Sequence, residues 1–324
     1  MKVLKTFASL LLLASCSQAP ESLSDESLEI KLSGDIGTAV SSTTRGVVDK
    51  DYASTLDVAF ARIDQNNTSG AYPAYSTVTK ALEATRAGGA GITGISFKES
   101  QYYQSALTKN ATKLIGWYPV GTLASGVVTI DISNGTTDAM LTNEVTGDKT
   151  NTFGTTPRTF TFKHLLTQVS VKAFGDSQVE TVWGDIKSVK VKSQTPNCVV
   201  TLPTQTPTWS GTPADVALKN IANDAVMANV SLAGKITSAS AVACGYAMFP
   251  PTTGKSLSLA VETTKGGSHD VSVSLPSSAT PQFFGAGRSY TVTLEFQSSS
   301  YTISAKADIA GWITDDSVIN GILP

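Results

Sequence analysis

The chain has 324 residues, enough for two domains of ordinary size, with 41% hydrophobic and 15% charged residues. That balance excludes a disordered chain, and a formal net charge of −2 gives no electrostatic footprint for nucleic acid or anionic lipid. Thr, Ser, Val and Gly are abundant, the composition of strands joined by small polar turns.

Lys2 and Lys5 precede a short apolar run, Phe7 to Ala14, that reads as a signal peptide and is too short for a mature membrane helix. Leu13-Ala14-Ser15-Cys16 follows and resembles the lipobox of bacterial lipoproteins. Signal peptide and lipobox together span residues 1–16, and the resemblance implies a cut ahead of Cys16, which becomes the acylated N-terminus and ties the precursor to the outer membrane. Several acyl chains hold firmly, because each buried CH₂ contributes about 0.8 kcal/mol. Two further cysteines, Cys198 and Cys244, sit in apolar strand-like stretches. An exported chain permits a bridge between them, and two buried free thiols fit equally well.

Residues 17–45 are rich in Ser, Thr, Glu and Asp, as suits a linker, yet they contain Leu28-Glu29-Ile30-Lys31-Leu32. Leu28, Ile30 and Leu32 alternate with charged residues, which predicts a half-buried strand. Past Gly46 the same period of two persists: Leu56, Val58, Phe60; Val128, Ile130, Ile132; Val169, Val171; Val189, Val191. Later come Leu257, Leu259, Val261, then Val271, Val273, Leu275, then Tyr290, Val292, Leu294, Phe296. The last run is Tyr301, Ile303, Ala305, Ala307 and Ile309. Antiparallel sandwiches with Gly, Pro and Asn turns are the expected product. Only Ser76 to Arg86 and Asp215 to Asn223 could pass for short helices. A faint repeat joins Leu114–Pro119 with Cys244–Pro251, each an aromatic-rich strand ended by proline and predicted to turn as a hairpin into an alternating strand. A Gly-, Thr- and Asn-rich stretch between Glu144 and Pro157 suggests an N-terminal domain over 46–155 and a C-terminal domain over 156–324.

No arrangement points to catalysis, a cofactor or a resident metal. His164 and His269 are the two histidines, and neither lies beside a nucleophile elbow or in a His-Glu-x-x-His helix. Gly285-Ala286-Gly287-Arg288 opens a strand and not a helix, so it is no phosphate cradle. Asp64–Asn67 and Asp131–Gly135 lack the spacing of a calcium loop and read as turns. Among four tryptophans, Trp209 lies between Pro207 and Pro213 in a loop-like setting, which keeps a carbohydrate-binding lipoprotein open as an alternative.

Asp138-Ala139-Met140-Leu141-Thr142-Asn143-Glu144, Phe160-Thr161-Phe162-Lys163-His164-Leu165-Leu166, Gly116-Trp117-Tyr118-Pro119 and Ile309-Ala310-Gly311-Trp312 occur along the chain. Together with the lipobox they resemble the fimbrillin-type (type V) pilins of Bacteroidia. The resemblance implies two tandem transthyretin-like β-sandwiches, surface assembly and no enzymatic activity. It also implies that a trypsin-like protease removes the N-terminal segment after an arginine. Arginines number five, and Arg45, followed by Gly46, lies in the small polar stretch Ser41–Gly46 where proteases cut readily. Arg62, inside a strand pattern, is expected to be shielded.

Cutting there would release the strand holding Leu28, Ile30 and Leu32 as an edge strand, exposing a groove with unpaired backbone groups. Tyr301 to Ile309 is the predicted donor that fills this groove on a neighbouring copy or a paralogous subunit. The same strand could instead close its own domain. Head-to-tail donation does not close on itself and builds a filament. By the logic of the family it resembles, an arginine site together with a donor strand implies a shaft subunit, with tip or anchor as alternatives.

Overall fold

The computed structural model describes residues 27–37, 48–277, 279 and 283–310. The early strands are β1 (Leu32–Ile36), β2 (Leu56–Asp64), β3 (Leu82–Arg86), β4 (Thr93–Phe97), β5 (Thr112–Tyr118), β6 (Thr122–Ala124) and β7 (Val127–Asp131). Next come β8 (Met140–Thr142), β9 (Val145–Gly147), β10 (Phe160–His164), β11 (Thr167–Gly175), β12 (Ile186–Gln194), β13 (Asn197–Thr201) and β14 (Thr206–Ser210). The chain ends its described course with β15 (Ala214–Ala217), β16 (Val242–Phe249), β17 (Ser256–Thr263), β18 (Gly267–Ser274), β19 (Ser289–Gln297) and β20 (Thr302–Ala310). The all-β class expected from composition and alternation is what the chain adopts.

The first sheet runs β2-β3-β4-β1-β10-β8-β5, and β5 pairs back with β2 from Ala59↔Trp117 to Asp64↔Thr112. It is therefore a closed ring, which removes edges that would otherwise template aggregation. Inside it Phe60 meets Phe160 and Phe97 edge-on, with centroids 5.1 and 5.7 Å apart. Gly116 faces this ring stack: a Cβ there would lie 2.5 Å from Phe60 Cε1, so only glycine lets Phe60 fill the centre. The second sheet, β15-β12-β17-β18-β20-β19-β11-β16, nearly closes as well. Lys219 beyond β15 and Tyr246 of β16 exchange backbone hydrogen bonds of 2.8 and 2.9 Å.

A small third sheet, β14-β13-β7-β6, ties the halves together. β13 pairs with β7 from Asn197↔Asp131 to Thr201↔Val127. Its inner face, Val128, Ile130, Cys198 and Val200, packs on Ala59, Ala61, Ile115 and Trp117 of the first sheet, and Tyr246 and Met248 of β16 join them. Strands β2 and β5 are thus buried on both faces, which is why their apolar runs are nearly continuous.

Two local expectations change. Residues 82–86 form strand β3 and residues 214–217 form β15, so neither suspected helix exists over those positions. Leu82, Ala84 and Arg86 turn to the interior of the ring, and sheet closure overrides the helical propensity of Ala-Leu-Glu-Ala. The two aromatic repeats do not fold as hairpins: β7 lies in a different sheet from β5, and β16 and β17 stand apart within one sheet. The crossing from first to second sheet comes at the buried pair Leu165-Leu166, beyond β10.

Candidate assembly site

Strand β1 occupies a slot with a partner on each side. It runs antiparallel to β4 (Leu32↔Ile95, Gly34↔Thr93) and parallel to β10 (Gly34↔Phe160, Ile36↔Phe162). Ahead of it, Ile30 donates its N–H to Gln101 O at 2.7 Å, and Leu28 O accepts from Tyr103 N at 3.0 Å. Ile30, Leu32 and Ile36 are buried in the ring interior, whereas Leu28 is 43% exposed. The strand therefore extends through Ile36, past the alternation seen at residues 28–32, and it is an inner strand of a closed ring rather than an edge. Burying three Leu or Ile side chains contributes on the order of 5–9 kcal/mol at about 1.5–3 kcal/mol each. The ladder bonds on both sides add to that.

The floor of the slot carries a charged residue, Arg86, that the sequence reading did not single out. Arg86 of β3 is fully buried, and all its described hydrogen bonds go to carbonyl oxygens. Nη1 donates to Ala87 O at 3.1 Å, and Nη2 to Gly89 O at 3.3 Å and Gly91 O at 2.9 Å. Nε donates to Gly34 O of β1 at 3.3 Å. Burial pushes the guanidinium pKa down from its usual value, and the nearby Asp35 carboxylate, also on β1, opposes that shift. The one signal in the sequence was the break in apolar alternation after Leu82 and Ala84.

The structure also places the other predicted positions. Cys16, Arg45, Gly46 and Trp312 lie outside the described residues. Arg62 is half-buried on β2, donating to Tyr102 O at 2.8 Å and to Asp64 at 3.0 Å. The predicted donor is β20, paired with β19 at nine positions from Ser289↔Ala310 to Gln297↔Thr302. Its other neighbour, β18, meets it at the single pair Ser274↔Lys306. Ala307 is buried, Ile303 and Ala305 are half-buried against the second core, and Ile309 is 45% exposed. In this conformation β20 belongs to its own sheet.

The remaining polar candidates are structural. His164 Nδ1 lies 2.8 Å from Asp138 Oδ2 with both side chains buried, and His269 packs edge-on to Trp183. Asn66 Oδ1 accepts from the N–H groups of Thr68 and Ser69, and Asp131 Oδ1 from that of Ser133, closing turns. Among the described residues no group of acidic, His or Cys side chains has a metal-holding arrangement. Trp209 is half-buried on β14 against the middle core, not in a loop. Cys198 and Cys244 are buried free thiols.

Comparison with known proteins gives the family and supports the fold. The fimbrillin-like family model matches residues 50–312, and the chain belongs to that family. Membership makes it a fimbrial protein of the cell surface and not an enzyme. Among solved structures, a protein assigned to cell adhesion from Bacteroides uniformis superposes with a TM-score of 0.58 at 18% identity, covering 89% of this chain and 99% of that one. A second, from Bacteroides ovatus, gives 0.52 at 16% identity, covering 90% and 99%. At these identities the likeness is one of fold. Among curated proteins none matches.

Proposed function

We propose that this protein is a shaft subunit of a surface fimbrium, exported as a lipoprotein through Cys16, trimmed after Arg45 and polymerised head to tail by strand donation. The observation that carries this reading is the placement of β1. A strand from the N-terminal segment fills an inner position of a closed ring, and it enters from outside the matched family region, which begins at residue 50. Losing it would leave two strands, β4 and β10, with unpaired backbone groups facing an apolar channel. Such a channel accepts another extended strand through main-chain hydrogen bonds and side-chain pockets.

While β1 is tethered it competes at high effective concentration, so the precursor stays monomeric. Once the linker over 38–47 is cut, β1 is held only by its own contacts and a neighbour's strand can replace it. The donor comes from the C-terminal stretch of the chain, from β20 onward. Partners are other copies or paralogous subunits, the outer membrane through the precursor's lipid, and a trypsin-like protease.

Negative-stain microscopy of the purified precursor before and after limited trypsin tests this. Filaments should appear after digestion alone, with Gly46 as the new N-terminus. Monomers persisting after complete removal of the N-terminal segment would overturn strand donation.

A further inference from the structure

We propose that the slot is read at one point, by the Gly34 position and Arg86 together, and that the strand fitting it is Ile319–Leu323 of a second copy. This rests on the reading that β1 is replaced during assembly, and it names the register and the occupant.

Gly34 sits at the centre of the slot with its Cα against β10. A Cβ there would lie 2.7 Å from Phe160 O, 3.0 Å from Ile95 Cδ1 and 3.3 Å from Phe160 Cβ. The nearest of these is a backbone oxygen of a paired strand, which cannot yield without breaking the ladder that forms the slot wall. Any side chain at this position is excluded. Close approach also brings the Gly34 carbonyl within 3.3 Å of Arg86 Nε.

Arg86 stays behind when β1 leaves. Its loop is fastened to the segment after the expected cut, with Gly89 N donating to Tyr52 O at 2.8 Å and Gly91 N to Lys50 O at 3.3 Å. Departure of β1 removes both the Gly34 carbonyl and the Asp35 charge from the guanidinium, and a strand that covers Arg86 again without a carbonyl at Nε leaves that donor buried and unpaired. An unpaired buried donor of this kind is costly. The empty slot therefore favours a strand that carries apolar residues two positions either side of a glycine, with the glycine carbonyl delivered to Nε.

The pattern of an aliphatic residue, any residue, glycine, any residue and an aliphatic residue is met by Leu32–Ile36 itself. It recurs at Val182–Ile186, Leu232–Ile236, Ile309–Ile313 and Ile319–Leu323. In the first two, Gly184 and Gly234 both have φ of +68°, a left-handed turn and not a strand. The third begins within β20, and its pairs Tyr290↔Ile309 and Ser289↔Ala310 with β19 would have to break. Ile319-Asn320-Gly321-Ile322-Leu323 lies beyond the described residues and shares no position with β20. It sets Ile319 at Leu32, Gly321 at Gly34 and Leu323 at Ile36.

The test uses the full chain with a site-specific protease sequence inserted between residues 38 and 47 and cut in solution. Labelled peptides spanning residues 28–37, 317–324 and 305–314 are monitored by fluorescence anisotropy. The 28–37 and 317–324 peptides should enter and compete with each other. Their Gly34→Ala and Gly321→Ala forms should bind at least about tenfold more weakly, the loss expected for a methyl forced into packed space. Arg86→Met in the protein should weaken both glycine peptides about tenfold, with Arg86→Lys recovering part of the loss. Failure of the 28–37 peptide to enter would overturn strand replacement itself. Its entry with equal binding of the alanine forms would overturn the glycine gate alone. Entry of 305–314 in place of 317–324 would overturn the assignment of the occupant, and unchanged binding to Arg86→Met would remove Arg86 from the reading.

Discussion

The Tyr301 ring stacks on Trp183, with centroids 4.6 Å apart and 13° between the planes, and its hydroxyl donates to Gly266 O at 2.8 Å. Tyr301 is the last residue of the turn before β20, so this contact pins the start of that strand to its own domain. Tyr301→Ala should lower stability by at least about 0.5–1.5 kcal/mol, the contribution of an aromatic pair beyond area burial. Urea unfolding measures it, and an unchanged midpoint would mean the stack does not anchor the turn.

Ile309 and Ile303 separate the roles open to β20. Ile309 is 45% exposed, so Ile309→Asp should change stability by no more than about 0.5 kcal/mol and leave assembly intact. Ile303 packs against the second core, and Ile303→Asp should cost several kcal/mol, on the order expected for burying an unpaired carboxylate. A folded Ile309→Asp protein that fails to form filaments would identify β20 itself as the donated strand.

Burial pushes the Cys198 and Cys244 thiols up to about 12. In protein carrying Cys16→Ser, neither thiol should react with a disulfide reagent at pH 8 until the chain is unfolded. The folded state holds these protons more tightly than the unfolded state, whose thiols titrate near about 8.5. Their contribution is present below about pH 8.5 and is lost as pH rises toward 12, at up to about 1.4 kcal/mol per thiol per pH unit. Comparing the alkaline slope of stability with that of the Cys198→Ala/Cys244→Ala protein isolates this effect. Equal slopes would show that the thiols already ionise in the native state.

Cys16→Ser should abolish incorporation of a clickable fatty acid and leave the leader attached. Undiminished label on that variant would place the lipid elsewhere.

The strands whose alternation faces one core were legible in the sequence, because period two and turn chemistry are local. Strand β1 was legible only in part. Ser33-Gly34-Asp35 has turn composition, and what makes it extended is backbone pairing with β4 on one side and with β10, a strand far along the chain, on the other. Arg86 was hidden for a related reason. A charged residue at an inward position reads as a helix face or a break, and its cage of carbonyls forms only once the ring closes. The pairing of β13 with β7 joins segments from the two halves and leaves no trace in the periodicity of either.

The central claim is that β1 leaves when subunits join. Filaments grown from trypsin-treated precursor, washed and fully digested, can be assayed for residues 27–37 by quantitative mass spectrometry against isotope-labelled peptides. Strand exchange predicts essentially no β1 peptide in the filament and a matching amount released into the wash. One β1 per subunit retained in intact filaments would show that assembly leaves the slot occupied, and would contradict the account.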